Sequence, residues 1–212
     1  INKPEIQIQD GKLTAEALWA MGRIGSVTIN EATGNIAYTV SYYSVSENRS
    51  TTWIRIMDNS GQEIIDEFVG SEPAWLDQTD ALVYLKGGKM LVRQDKQDIV
   101  LSGTDLSIEG FLISPTKENI VLITQVKTVE STADKYPDLA LASGRIVDDL
   151  MYKHWDEWTE TAPQPFVHNM NIEYKHGKII SISVSHPINI LEGTPYESPM
   201  KPFGGVEQLA WS

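Results

Sequence analysis

The sequence contains no cysteine in 212 residues. That excludes a disulfide scaffold, a thiolate zinc site and a cysteine nucleophile. Positive charge is scarce as well. Lys and Arg total 17 against 29 Asp and Glu, a formal net charge of −12. Such a field repels phosphate backbones and argues against nucleic acid as a partner. No apolar run approaches the roughly 20 residues that a membrane-spanning helix needs. The opening stretch "INKPEIQIQDGKL" has neither a basic n-region nor an apolar h-region, so an export signal is either lacking or already removed.

Motifs that present reactive groups are missing too. There is no G-x-S-x-G elbow, no P-loop, no Rossmann glycine fingerprint and no H-E-x-x-H. The four histidines, at positions 154, 168, 176 and 186, lack metal-ligand spacing and read as structural or exposed. Asp156 and Glu157 are adjacent, but neighbours on a helix point in different directions and form no dyad. No catalytic residue, metal or cofactor is expected from the chain.

What is present is a repeat. The segments "SVTINEATGNIAYTV", "EPAWLDQTDALVYLK" and "GFLISPTKENIVLIT" align on each other. In each, an apolar stretch ends at Ile29, Trp75 or Ile113, a polar turn follows, and a second apolar stretch begins at Ile36, Leu82 or Ile120. The turns carry Thr33-Gly34-Asn35, Gln78-Thr79-Asp80 and Pro115-Thr116-Lys117, all turn-forming types. Two further strand-like runs follow each pair: "TTWIRIMD" and "EIIDEFV", then "KMLVRQ" and "DIVLS", then "FVHNMNIEY" and "KIISISV".

Four antiparallel strands per repeat point to an all-β fold, a partial β-propeller of about three blades plus the first strand of a fourth. That first strand is "EQLAWS", with Trp211 in the place of Trp75. The expected organisation is an N-terminal segment with a short helix (1–24), blade 1 (25–70), blade 2 (71–108), blade 3 (109–193) with a helical insertion at about 128–164, and a connector with the first strand of blade 4 (194–212). A β-sandwich is the rival, but its strands have no reason to repeat in phase.

Two helices are predicted. "TAEALWAMG" has Thr14 as N-cap, Glu16 in the first turn and Gly22 as a stop. "GRIVDDLMYKHWDEW", residues 144–158, carries Val147, Met151, Trp155 and Trp158 at helical spacing, with i,i+4 pairs Arg145–Asp149, Asp149–Lys153 and Lys153–Glu157. Its acidic pair, Asp148-Asp149, reads either as a solvated helix face or as a face turned toward a ligand. The tail "EGTPYESPMKPFGGVEQLAWS", with three prolines and a Gly-Gly pair, reads as an extended connector.

The opening "LTAEALWAMGRIGSVTINEATGNIAYTVSYYSVSENRS", the insertion "YPDLALASGRIVDDLMYKHWDEW" and the connector "PYESPMKPFGGVEQLAWS" resemble the N-terminal part of the prolyl oligopeptidase family. The bacterial dipeptidyl-peptidase and acylaminoacyl-peptidase branch is the nearest in pattern. The resemblance covers essentially the whole chain. It implies a seven- or eight-bladed propeller followed by an α/β-hydrolase domain with a Ser-Asp-His triad. It implies that the propeller admits short peptides, screens out folded proteins and helps to hold the substrate N-terminus. In relatives the stretch "AWS" runs on into a "PDG"-type turn. No triad position exists in these 212 residues.

The same resemblance implies that Asp148 and Asp149 bind a substrate α-amine, and that the protein is periplasmic or secreted. It makes short peptides the substrate partners, through a hydrolase domain absent from this chain. Open blade faces make a homo-oligomer a possible form of the isolated chain. A TolB-like propeller acting as a protein-interaction module is the alternative. A metal- or sugar-handling propeller enzyme would place His, Asp or Glu at equivalent strand ends, where this chain has Ile29, Trp75, Ile113 and Trp211.

Overall fold

The structure, a computed structural model, describes residues 3–6, 8, 10–76, 79–139, 141–147, 153–154, 157–158, 160–200 and 205–212, without the side chains of His154 and Glu157. The chain divides into two compact units, one of Ile1–Ser102 with Ile172–Ser183 and one of Gly103–Asn171 with Val184–Ser212.

The first unit opens with helix α1 (Ala15–Ala20), where the Thr14 hydroxyl accepts from the Ala17 amide as the sequence predicts. An antiparallel sheet follows: β1 (Arg23–Ile29), β2 (Ile36–Ser44), β3 (Arg49–Met57) and β4 (Ile64–Val69). A second sheet repeats it with β5 (Ser71–Leu76), β6 (Ala81–Lys86), β7 (Lys89–Gln94) and β8 (Gln97–Val100). Both sheets are simple meanders in sequence order.

The two sheets share a core of Ala37, Ile54, Ile56, Phe68, Leu82 and Tyr84, all buried. Phe68 meets Tyr84 edge-on at 4.8 Å, an arrangement that aromatic quadrupoles favour. Polar ties reinforce the seam. The Trp75 indole donates to Thr28 O, and the buried Asn30 amide donates to Thr79 O. Arg93, over the Phe68 ring at 4.2 Å, holds Asp66 of the first sheet and Asp98 of the second at 2.6 and 2.9 Å.

The second unit carries β9 (Ile108–Ile113) and β10 (Asn119–Lys127), then a long excursion. Within the excursion lie α2 (Thr132–Lys135), a 3₁₀ turn at Pro137–Leu139, and the two-residue strands β11 (Lys153–His154) and β12 (Glu157–Trp158). The chain returns in β13 (Thr161–Lys175) and β14 (Lys178–Asn189), giving a third four-stranded sheet in the order β9-β10-β13-β14. The far end of the β13–β14 hairpin, Ile172–Ser183, is counted in the first unit. There Ser102 N donates to Ile182 O, and the Gln94 side chain accepts from Ile179 N.

The register shows that the repeat is physical. The first hairpins pair Ile29 with Ile36, Trp75 with Leu82 and Ile113 with Ile120, the second running one pair further to Leu76↔Ala81. These are the junctions that align in sequence. Each first strand also carries an irregularity a few residues earlier, between Ile24 and Val27, between Ser71 and Ala74, and between Ile108 and Gly110. Bulges of this kind sharpen local twist. The turns are held locally. Asn30 Oδ1 accepts from Ala32 N and Thr33 N, and Ser114 Oγ accepts from Asn119 N.

Three sequence-based expectations fail. Residues 144–158 are not one helix, because Arg145 makes an isolated bridge to Ser131 and β11 pairs with β12. The i,i+4 ion pairs counted toward that helix are worth only about 0.3–0.5 kcal/mol each, too little to hold a marginal helix against longer-range contacts. The helical insertion in the third sheet is therefore reduced, among the described residues, to α2 and the 3₁₀ turn. Finally, Leu209–Ser212 forms no strand: it follows a 3₁₀ turn at Val206–Gln208 and has no ladder partner among the described residues. A strand needs a neighbour for its N–H and C=O groups. The Trp211 indole N–H is buried and has no partner among the described residues, whereas that of Trp75 is satisfied.

Candidate functional site

The predicted site residues Asp148 and Asp149 lie outside the described residues. The ground from which that segment departs is well defined. Ser131 caps α2 reciprocally with Asp134, and Lys127 pairs with the same carboxylate. Lys127 and then the Ser131 groups hold Asp134 well below the ordinary carboxylate range. The Thr132 hydroxyl donates to Gly144 O, which brings the two ends of the segment 132–144 together.

Arg145 then fixes the exit. It pairs with Glu160, and its guanidinium lies over the Trp158 ring at 4.2 Å. Lys153 approaches the same ring at 4.7 Å. An exposed cation–π contact is worth roughly 0.5–1 kcal/mol, and Trp158 engages two cations. Sequence reading assigned Arg145 and Lys153 to Asp149 through helical spacing. Asp149 lies outside the described residues; the contacts described for Arg145 and Lys153 are with Trp158 and Glu160, residues that no local spacing rule selects.

No group of His, Asp or Glu able to hold a metal ion occurs among the described residues. His176 lies in the turn between β13 and β14 and His186 within β14; both have positive φ and both are exposed. His168 differs. It is 2% exposed on β13, and among the described residues neither ring nitrogen has a hydrogen-bond partner. Burial pushes its imidazole below the usual histidine range, so it is neutral in the fold. The unfolded chain takes up a proton near pH 6.5 and the fold does not. The resulting stability is fully present above about pH 6.5 and declines as pH falls through the window below it, by at most about 1.4 kcal/mol per pH unit. Thermal melts between pH 7.5 and 5 should show this decline in the wild type, and it should flatten in His168→Leu. An equal slope in both would refute the assignment.

No protein-family model matches the chain. Dipeptidyl-peptidase 5 of Porphyromonas gingivalis is 35% identical over 210 residues, covering 94% of this chain and 29% of that protein. Dipeptidyl-peptidase 5 of Porphyromonas endodontalis is 30% identical over 217 residues, covering 95% and 29%. The chain is homologous to one stretch of the dipeptidyl-peptidase 5 proteins. It spans less than a third of their length.

Among solved structures, the acylaminoacyl peptidase of Pyrococcus horikoshii matches with a TM-score of 0.54 at 8% identity, over 79% of this chain and 26% of that one. An acylaminoacyl peptidase in complex with Z-Gly-Gly-Phe-chloromethyl ketone matches with the same score, over 78% and 25%. At that identity the likeness is one of fold. The resemblance to the prolyl oligopeptidase family is thus borne out by sequence and by architecture together.

Proposed function

We propose that this chain is the non-catalytic, N-terminal propeller portion of a secreted or periplasmic serine peptidase. On this reading its three sheets are successive blades. The Ser-Asp-His machinery belongs to a hydrolase domain outside these 212 residues. The propeller gates access of short peptides and contributes to binding the substrate N-terminus. The observation that carries the reading is the shared hairpin register of all three sheets, in a chain homologous to dipeptidyl-peptidase 5 over almost all its length. Meanders repeated in phase are what a blade architecture requires.

The exposed apolar side of β1, with Ile24, Val27 and Ile29 all more than half exposed, fits the same reading. In a closed disc the remaining blades would cover it; a second copy would do so for the isolated chain.

Asp148 and Asp149 are the proposed amine-binding pair, since carboxylates accept strong charge-assisted hydrogen bonds from an ammonium group. The test uses the longer protein that contains this chain. Asp148→Asn and Asp149→Asn should raise KM for free-amine dipeptide substrates about tenfold, the loss of one charge-assisted bond of about 1.5 kcal/mol. N-acetylated substrates should be unaffected. Unchanged KM values on the free-amine substrates would remove both residues from the site.

A further inference from the structure

The first unit contains an open cavity of about 500 Å³ beside α1, lined by Glu5, Glu16, Trp19, Tyr42 and Tyr43 among others. That volume lies within the ordinary range for small-ligand sites. Its chemistry is uneven in an informative way. One wall is aromatic. Trp19 and Tyr43 have ring centroids 4.8 Å apart at an interplanar angle of 41°. The Tyr42 hydroxyl accepts from Arg55 and the Tyr43 hydroxyl donates to Asn48, so both phenols are anchored by partners on β3 or the turn before it. Both hydroxyls are therefore already engaged within the chain.

The remaining chemistry is acidic. Glu5 and Glu16 line the cavity, and among the described residues no ion pair or hydrogen bond engages either carboxylate. The half-buried acids of this unit's sheets do hold cations: Glu67 has Lys3 and Arg55, and Asp66 has Arg93. Trp19 already accepts one guanidinium, that of Arg23, at 5.4 Å.

We infer that this cavity is a binding site for a guanidinium side chain, an arginine presented by a peptide. Guanidinium is planar and weakly hydrated. It stacks on aromatic faces and forks to carboxylates, which is the combination of groups that this cavity offers. An ammonium would meet the same charge but would forfeit the stacking. The test of this site does not depend on the proposed peptidase reading.

The probe is Nα-acetyl-arginine N-methylamide, titrated into the chain while the indole N–H resonance of Trp19 is followed by NMR. Trp19→Phe identifies that resonance. The expected result is a saturable shift with a Kd in the millimolar range, about 1 mM. The citrulline analogue, isosteric but uncharged, should bind at least about tenfold more weakly, and Glu16→Gln and Glu5→Gln should each weaken the arginine probe about fivefold. Both glutamates are exposed, so neither substitution removes packing. Equal binding of arginine and citrulline, or no saturable shift in the wild type, would overturn the proposal. So would wild-type affinity in both glutamine variants.

Discussion

Gly103→Ala is expected to cost about 3–5 kcal/mol. Two independent penalties add. Gly103 has φ +89°, a region where a Cβ strains the backbone by about 1–3 kcal/mol. A Cβ there would also stand 2.0 Å from Val184 O and 3.0 Å from Val184 C. Those are backbone atoms of β14, so relief requires moving the strand, and overpacking of this sort costs typically about 1–3 kcal/mol more. Against a total of roughly 5–15 kcal/mol for a domain, the variant should be near its limit. Urea denaturation should show the midpoint lowered by about 2 M, given slopes of about 1–3 kcal/mol per molar. Gly61→Ala is the control. Gly61 also has positive φ, +73°, but nothing lies within 4 Å of its ideal Cβ. It should cost about 1 kcal/mol, strain alone. Equal losses in the two variants would show that the Val184 contact is not decisive.

How far the sequence reveals this molecule depends on the distance over which its interactions run. The three first hairpins were legible because their determinants are local. Asn30 and Ser114 organise their own turns within five residues, and apolar patterning then sets the register. Thr14 and α1 were legible for the same reason. The extent of β13 was not. Pro163 and Pro165 argue against a strand, and the readable run began at Phe166. The strand nevertheless starts at Thr161, because both prolines turn their hydrogen-bonding side away from β10. Their carbonyls accept from Ser198 N and Ile190 N. No N–H is missed there. Likewise the 144–158 stretch has a helical pattern in sequence, yet Arg145 answers to Glu160 and Trp158. The guanidinium-binding cavity joins residues 4–5, 16–20 and 42–46, and only the folded chain brings these together.

The connector after β14 supplies the second large effect. Sequence alone reads the tail from Glu192 to Ser212 as an extended connector whose path is set by proline and glycine. In the fold its first part is held through the Gln164 side chain. Gln164, 1% exposed, donates through Nε2 to Thr194 O and Tyr196 O at 3.2 and 2.9 Å, and accepts at Oε1 from the Asn189 amide at 2.7 Å. Asn189 in turn accepts from Leu191 N, starting the turn that Thr194 closes on Leu191 O. Gln164→Leu keeps the volume and removes all three bonds, leaving two carbonyls and an amide without a partner. Each buried orphan costs about 1–3 kcal/mol, partly relieved where water can enter, so a loss of about 3 kcal/mol is expected. Gln164→Glu separates hydrogen bonding from packing. Its carboxylate would face two carbonyl oxygens, so its folded-state pKa must lie above the unfolded value. Protonation restores a donor, and the variant should therefore gain stability relative to wild type as pH falls toward 4. Asn189→Ala, which leaves both carbonyl bonds intact, should cost about half as much as Gln164→Leu. If Gln164→Leu unfolds in urea like the wild type, the connector is held by its backbone bonds alone, at Pro163 and Pro165.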